Sequence, residues 1–350
     1  MKKTSNPDQG HDLLLKKIQP KLAYSNREKE YFSWKKDVAE KFEDLIGLNI
    51  IKENICPLNT QVEWIEKKDA YTLIRFTFDS EENVTVPCYL LIPNTKKEKY
   101  PVAITLHGHS TGFHLAIGQV KEEGDEKKLP RTAFALQAVE RGYIALAIEQ
   151  RGMGERRSPR SYGLENKYFP RPHMCAFASL TAISLGRTII GERVWDVSRA
   201  IDALADFPEC DLDKIVITGN SGGGTASYYA ACVDERIKLC VPSCSFSPYD
   251  TSILDIEHCV CNYIPNIRLW MEMQDLSCLI APRNLVIVAG EKDDIFPIEG
   301  VRQGFQVVKS IYKEEGKEDN CSLVETPMGH WWCEDIVWDA INKEIHKDIV

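Results

Sequence analysis

The sequence has no long apolar run, no excess of basic residues and no internal repeat. No stretch of about 18 residues is both apolar and uncharged, so the sequence predicts no transmembrane helix and no membrane partner. The formal net charge of −9 argues against nucleic acid as a partner, because general nucleic-acid binders carry a basic surface. The residues after Met1-Lys2-Lys3 lack the apolar segment of a signal peptide, so we predict a cytoplasmic protein.

The twelve cysteines do not follow the spacing of a zinc finger. Most, such as Cys88, Cys232 and Cys240, lie in apolar runs and are expected to act as small buried hydrophobes in a reducing compartment. His258-Cys259-Val260-Cys261 has the residue types of a metal site, but no second pair at zinc-finger spacing follows it. The sequence therefore predicts no metal site and no cofactor.

Hydrophobic residues make up 43% of the 350 residues, which is enough for a sizeable core. Ser25-Asn26-Arg27-Glu28 fits a helical capping box. Apolar residues then recur at helical spacing from Tyr31 to Leu45, and Gly47 supplies the stop. We predict a helical N-terminal extension over residues 1–60, loosely docked up to residue 24, ahead of one domain over 61–350.

That domain begins with three β-rich segments, at 61–66, 71–78 and 84–92, which predict an antiparallel start to a sheet. Strand and helix patterns then alternate, which predicts a mostly parallel sheet with helices on both faces. The buried strands are predicted at 102–106, 143–148, 214–218, 239–241, 284–289 and 321–325. Two stretches outside the alternation, 151–191 and 246–280, are predicted to be lids at the ligand-binding edge of the sheet.

Gly219-Asn220-Ser221-Gly222-Gly223 is the most informative motif. This G-x-S-x-G pattern lies between a β-branched run and a helix of small residues, which is the context of a nucleophile elbow. The turn exposes the serine hydroxyl at the top of the sheet, and the following helix offers free N–H groups to a developing anion. Ser221 is therefore the predicted nucleophile.

A serine nucleophile needs a histidine base, and three histidines follow Ser221. His346 lies in a charged terminal helix and His258 lies within a predicted lid. His330 directly follows the last predicted strand, where the base belongs, so we predict His330.

The carboxylate that orients the base should follow the preceding strand. Glu291, Asp293 and Asp294 all lie in that loop, and their spacing alone does not separate them. The oxyanion hole needs two N–H donors. We assign these to Gly222, which directly follows the nucleophile, and to the backbone of His109 in the loop after the strand 102–106. His107, in the same loop, is expected to be a buried hydrogen-bonding residue.

Together these motifs resemble the α/β-hydrolase superfamily, and within it the acetyl xylan esterase / cephalosporin-C deacetylase-like and dienelactone-hydrolase-like serine esterases. The resemblance spans about residues 80–345, and its matching segments are His107-Gly108-His109, Arg151-Gly152-Met153-Gly154, 195–202, 219–223, 290–297 and Gly329-His330-Trp331. It implies that the acid is Asp293, the first aspartate of its loop, and that Arg151 lies near the substrate pocket. Gly222 and Met153 depart from the pattern, because xylan esterases usually carry glutamine at both places.

We therefore expect an α/β-hydrolase fold and a serine carboxylic-ester hydrolase with the triad Ser221, Asp293 and His330. The resemblance implies a small acyl group, acetyl-like, on a sugar or related alcohol. Substrate contacts are expected from Arg151 and Trp270, and from the other arginine and aromatic side chains of the two lids, Tyr168, Phe169, Arg171 and Phe177. The oligomeric state stays open, a homo-oligomer included.

Two alternatives share these residues. A serine peptidase or amidase of the prolyl-oligopeptidase kind has the same triad order, but too few residues precede the hydrolase region for a propeller domain. A catalytically idle hydrolase fold that serves as a binding module would not need the full set of triad residues.

Overall fold

The computed structural model describes residues 6–162 and 175–345. Its strands are β1 Gln61–Lys67, β2 Tyr71–Glu81, β3 Val84–Pro93, β4 Tyr100–Leu106, β5 Ile144–Ile148, β6 Cys210–Asn220, β7 Ile237–Ser243, β8 Asn284–Gly290 and β9 Cys321–Thr326. They form one sheet in the order β1-β2-β3-β5-β4-β6-β7-β8-β9. β3 is antiparallel to β2 and β5, whereas β4 to β9 run parallel, so the predicted antiparallel start and parallel centre are both observed.

Helices cover both faces of this sheet. They are α1 Asp8–Lys17, α2 Tyr31–Leu45, α3 Leu48–Lys52, α4 Phe134–Glu140, α5 Pro159–Tyr162, α6 Ala176–Ser184, α7 Ile189–Ala203, α8 Gly222–Val233, α9 Ile298–Glu314 and α10 Glu334–Ile345. One hydrophobic core contains the buried side chains of α2, α7, α8 and α9. A second core, formed with α4 and α10, lies on the other face and includes the buried rings of Phe134, Trp332 and Trp338. Burial of apolar residues on both faces explains why the central strands read as continuous hydrophobic runs.

The N-terminal extension differs from its prediction at two points. The predicted capping box is wrong, because α2 begins at Tyr31 with Glu30 as its N-cap, and no side chain caps it. The predicted stop at Gly47 is observed, with a left-handed φ of +76°. The segment before α2 is docked rather than loose at Leu22, whose N–H donates to the Trp270 carbonyl at 2.6 Å.

The stretch 246–280, predicted to be a lid, is largely part of the core. Its second half contributes buried side chains to the core that α2, α8 and α9 share: Met271, Met273, Leu276, Cys278 and Ile280. Its first half reaches the edge where the parallel strands end. In the other predicted lid, Tyr168, Phe169 and Arg171 lie outside the described residues.

The carboxyl ends of the parallel strands meet at one edge, which is where α/β sheets bind ligands. The loops after β4, β5, β6, β8 and β9 carry, in that order, His107, Glu149, Ser221, Asp293 and His330. Within the described ranges, no helix has the length and apolar character needed to span a bilayer.

Candidate active site

Ser221 sits on the sharp turn between β6 and α8. Its φ of +57° and ψ of −127° form a strained conformation for a residue with a side chain. The turn is held because the Ser221 N–H donates to the Ser243 carbonyl at 2.9 Å and the Ser221 carbonyl accepts the Thr225 N–H at 2.9 Å. A Cβ at Gly223 would lie 2.1 Å from the Leu106 carbonyl oxygen, so only glycine permits this approach of α8 to β4.

Asp293 and His330 are brought together by the loops after β8 and β9. His330 Nδ1 lies 2.9 Å from Asp293 Oδ2, and the Asp293 side chain has no exposed surface. The other carboxylate oxygen of Asp293 accepts the N–H groups of Ile295 at 2.9 Å and Phe296 at 3.0 Å. Burial alone would raise the pKa of Asp293, but His330 and these N–H donors together hold it below its usual value.

The other carboxylates of this loop lie elsewhere. Asp294 and Glu291 are exposed, and the structure records no hydrogen bond from either side chain to His330. The alternatives that spacing left open are thus separated by position, and Asp293 is the carboxylate that contacts the histidine.

Ser221 and His330 line one cavity of about 390 Å³ at this edge of the sheet. His107, His109 and Trp332 line it as well. No hydrogen bond joins Ser221 Oγ to His330 among the described residues, which is common in hydrolases without bound substrate. A second cavity of about 360 Å³ lies at the opposite edge, around the amino ends of β6 to β8, away from these side chains.

The side chain of His109 lies against Gly222, the other residue predicted to supply an oxyanion donor. A Cβ at Gly222 would stand 2.9 Å from His109 Cε1 and 3.0 Å from His109 Nδ1, so the His109 ring covers the space beside Gly222. Among the described residues, neither the Gly222 N–H nor the His109 N–H donates to a protein acceptor. Their role as oxyanion donors stays a prediction.

The loop that carries His109 is fixed by a buried pair that sequence reasoning found only in part. His107 Nε2 lies 2.9 Å from Glu149 Oε1, and both side chains are buried. His107 thus has the predicted shaping role, but its partner Glu149 was missed. Glu149 also accepts the N–H groups of Phe113 at 3.2 Å and Glu155 at 3.0 Å. A carboxylate right after the β5 run was the signal that could have identified it.

Arg151, predicted to contact substrate, is not among the residues that line the cavity, and its side chain is engaged by carboxylates. Its guanidinium donates two hydrogen bonds to Asp196, both 2.9 Å long, and a third to Glu81 at 2.6 Å. Arg156 binds the same Asp196 at 2.7 Å, and the Asp196 side chain is 2% exposed. Arg151, from one of the segments that resemble the esterases, is therefore part of an ion network around the buried Asp196. This network holds the loop after β5 in place.

Removal of the Asp196 carboxylate should disrupt this ion network and lower the stability of the protein. Asp196→Ala leaves the largely buried cations Arg151 and Arg156 without their shared carboxylate, so we expect a loss of about 3–5 kcal/mol in the free energy of unfolding. Chemical denaturation measures the loss. Asp206→Ala, at an exposed aspartate, is the matched control and should change stability by less than about 0.5 kcal/mol. Equal stability of the two variants would mean that the network contributes nothing.

Trp270 also lies away from the predicted contact. Its ring packs against the main core, and the ammonium groups of Lys21 and Lys41 each lie 4.5 Å from its centroid. Trp270 is not among the described residues that line the cavity of Ser221 and His330. Its observed contacts are instead with the N-terminal part of the chain, and a role of Trp270 in substrate choice stays a prediction.

Two cavity-lining cations were missed, Lys128 and Arg131. The Arg131 guanidinium stacks on the Trp331 ring at 3.5 Å and makes no ion pair with a described acidic side chain. Lys128 and Arg131 thus place positive charge at the cavity wall. Their segment lies between predicted elements, where the sequence pattern gives no orientation.

Two groups of described side chains bring potential metal-ligating atoms within 4.8 Å of one another. One consists of Cys244, Asp293 and His330, which include the hydrogen-bonded pair above. The other consists of His109, Cys175, Cys259 and Cys261. His258 from the same sequence motif is not part of it, since its Nε2 lies 3.2 Å from Ser252 Oγ.

Comparisons with known proteins agree with this architecture. A sequence model of the Abhydrolase family matches residues 10–225. "Putative hydrolase YtaP" of Bacillus subtilis (strain 168) is 25% identical over 279 residues, which cover 79% of this chain and 88% of that protein.

Solved structures show the same fold. A Bacteroides fragilis protein described as a "putative acetyl xylan esterase" has a TM-score of 0.76 at 16% identity, covering 97% of this chain and 95% of that one. A glucuronoyl esterase from Solibacter usitatus has a TM-score of 0.64 at 16% identity, covering 94% and 98%. The predicted α/β-hydrolase architecture is confirmed.

Proposed function

The chain belongs to the Abhydrolase family, and from this premise we propose that it is a serine carboxylic-ester hydrolase with Ser221, His330 and Asp293 as its triad. One observation carries the proposal. The hydrogen-bonded pair of His330 and Asp293, 2.9 Å apart, lies beside a cavity that is also lined by Ser221 on its strained turn. A strained serine next to a histidine–carboxylate pair is the arrangement that acyl transfer requires.

In the first half of the reaction, Ser221 Oγ attacks the ester carbonyl while His330 Nε2 takes its proton. Asp293 accepts from Nδ1, which fixes the tautomer with a free Nε2 and stabilises the imidazolium. The carbonyl oxygen becomes an oxyanion, to which the N–H groups of Gly222 and His109 donate. Collapse of this intermediate expels the alcohol, which takes the proton from His330.

The second half repeats these roles with water. His330 removes a proton from the water as it attacks the acyl group on Ser221, and the acid leaves when Ser221 recovers its proton. No step in this reaction needs a cofactor. The substrate is a small-molecule ester with a small, acetyl-like acyl group on a sugar or related alcohol. This part is supported by the names of two similar structures, which are described as acetyl xylan esterases.

Activity should depend on pH through one ionisation on the acid side, because only neutral His330 can accept the proton of Ser221. The pKa of Asp293 lies below its usual value, so Asp293 stays ionised as the medium becomes acidic and adds no step of its own. We expect kcat/KM to fall with falling pH along a single titration curve. His330→Gln should remove the activity and the curve, whereas His258→Gln should keep both. Two ionisations on the acid side would contradict this assignment.

Acyl-chain preference tests the size of the acyl group. Along a series of p-nitrophenyl esters from acetyl to octanoyl, we expect kcat/KM to fall by on the order of tenfold or more, since a small acyl site rejects extra methylenes. Arg302→Ala should leave this preference unchanged, because Arg302 is exposed on α9, pairs with Glu325 and does not line the cavity. A preference for octanoyl would point to a lipase-like pocket.

The alternatives give different results in the same assays. A screen of acetylated sugars against dipeptide amides separates an esterase from a prolyl-oligopeptidase-like amidase. A binding module would hydrolyse none of these substrates above the rate of a Ser221→Ala variant.

A further inference from the structure

One cluster of reactive side chains has no part in the proposed chemistry. It joins three loops: His109 follows β4, Cys175 precedes α6, and Cys259 and Cys261 lie in the stretch between β7 and β8. The four potential ligand atoms all lie within 4.8 Å of one another. Residues this far apart in sequence converge at one point beside the cavity.

The geometry within the cluster is tight. Cys175 Sγ lies 2.8 Å from Cys259 Sγ, and His109 Nε2 lies 3.1 Å from Cys261 Sγ. Ligands around tetrahedral zinc, at bond lengths of about 2.0–2.3 Å, stand roughly 3.4–3.8 Å apart. An ion would therefore need to spread these atoms by less than about 1 Å. A covalent disulfide would instead need the two sulfurs at about 2.05 Å and would leave Cys261 and His109 without a shared role.

The donor set is selective. Three thiolates and one imidazole form the Cys₃His set that structural zinc sites use, and soft sulfur ligands disfavour calcium and magnesium. Cys175 and Cys261 are buried beside Ile189, Cys259 is partly buried, and His109 is exposed at the cavity wall.

The charge around the cluster also favours a zinc site. Zinc with three thiolates and a neutral histidine carries a net charge of about −1. Arg193 is 2% exposed and lies beside Cys261, so its single positive charge offsets that of the cluster. Arg193 is itself held in place, since it donates to the Arg151 carbonyl at 3.1 and 2.8 Å.

We propose that His109, Cys175, Cys259 and Cys261 form a closed four-coordinate site for a structural zinc ion. The sequence expectation of no metal site followed from the absence of a second ligand pair at zinc-finger spacing. Here the two remaining ligands come singly, from distant loops. Because four protein ligands fill the coordination sphere, the ion has no open position for substrate or water and acts by fixing structure.

The zinc ion ties the oxyanion loop to both long connections of the fold. His109 Nε2 points to the cluster while its Nδ1 edge lies over Gly222. An occupied site therefore fixes the loop whose backbone N–H would bind the oxyanion. This consequence for catalysis rests on the proposed function, whereas zinc binding itself does not.

Metal content tests the proposal directly. The full chain, purified without a histidine tag under reducing conditions, should contain one zinc ion per chain by mass spectrometry of the metal. Replacement by cobalt should give the visible absorption of a tetrahedral thiolate site. Cys261→Ser and Cys259→Ser should each retain less than about a tenth of the zinc, because one ligand is lost. Cys56→Ser, at a half-buried cysteine outside the cluster, is the matched control and should retain all of it.

A second measurement, on wild-type protein, tests the proposal even if the variants do not fold. Removal of the metal with a chelator should lower the melting temperature by about 5 °C or more, and added zinc should restore it. Chain that stays metal-free when titrated with zinc under reducing conditions would overturn the proposal. So would a thiol titration of unfolded, unreduced protein that finds two fewer than the twelve thiols, with Cys175 and Cys259 joined.

The outcomes separate this proposal from the proposed function. Zinc in protein that hydrolyses no ester would leave the metal site standing and reject the esterase. Ester hydrolysis that Ser221→Ala abolishes, in protein that binds no zinc, would do the reverse. If both stand, zinc removal should lower kcat more than it raises KM, because the oxyanion forms only during the chemical step.

Discussion

Ser221→Ala should lower kcat/KM for p-nitrophenyl acetate by on the order of a million-fold. The serine oxygen is the atom that forms the acyl-enzyme, and no other described hydroxyl on the cavity wall lies on a strained turn between a strand and a helix. The comparison requires purified protein of both forms, with residual activity measured at high enzyme concentration.

Ser110→Ala is the matched control for this variant. Ser110 lines the same cavity, but its hydroxyl lies 3.1 Å from His107 Nδ1 and takes no part in acyl transfer. Loss of one such hydrogen bond costs about 1 kcal/mol, so activity should stay within about tenfold of wild type. Retention of wild-type activity in Ser221→Ala, or an equal loss in both variants, would reject Ser221 as the nucleophile.

Asp293→Asn should reduce kcat/KM by on the order of ten-thousand-fold. The asparagine oxygen can still accept the N–H groups of Ile295 and Phe296, so the loop should keep its shape. The amide would then donate to His330 Nδ1, which selects the tautomer whose Nε2 carries a proton and cannot act as the base. The loss should appear in the rate with little change in melting temperature.

Asp294→Asn provides the comparison within the same loop. Asp294 is exposed and does not contact His330, so we expect activity close to that of wild type. If Asp294→Asn were the inactive variant and Asp293→Asn the active one, the register of the acid loop would be wrong by one residue. The hydrogen bond between Asp293 and His330 would then have no catalytic meaning.

Local sequence pattern was enough to predict the superfamily, the fold and the succession of strands and helices along the chain. Buried parallel strands read as apolar runs, and the loop at the end of each one falls on the same edge of the sheet. His330 and Asp293 could thus be assigned to that edge before any contact was known. Their distance of 2.9 Å could not be, because the approach of two loops depends on the packing of β8 and β9.

The sequence pattern could not predict which way the side chains in the long connections point. An arginine after a strand end can turn into the cavity or away from it, and Arg151 turns away because Asp196 on α7 offers a buried bidentate partner. The cysteines show the same limit. Each one is consistent with a small hydrophobe in its own segment, and only the fold shows that Cys175 faces Cys259.

Gly222 illustrates a departure from the family pattern that the structure explains. The family pattern that the sequence resembles has glutamine at this position. Here a side chain at 222 would collide with the His109 ring, which already occupies that space. The glycine and the histidine thus belong together, and the exchange leaves the backbone N–H of Gly222 in place as a donor.

Covalent labelling tests the central claim most directly. Diethyl p-nitrophenyl phosphate phosphorylates activated serine nucleophiles and leaves a stable adduct, so purified wild-type protein should release one p-nitrophenol per chain and lose its esterase activity in step. Mass spectrometry of the digested protein should find the diethyl phosphoryl group on Ser221, and neither Ser221→Ala nor His330→Gln should be labelled at a comparable rate. A label on another residue, or full loss of activity without any label on Ser221, would contradict the account.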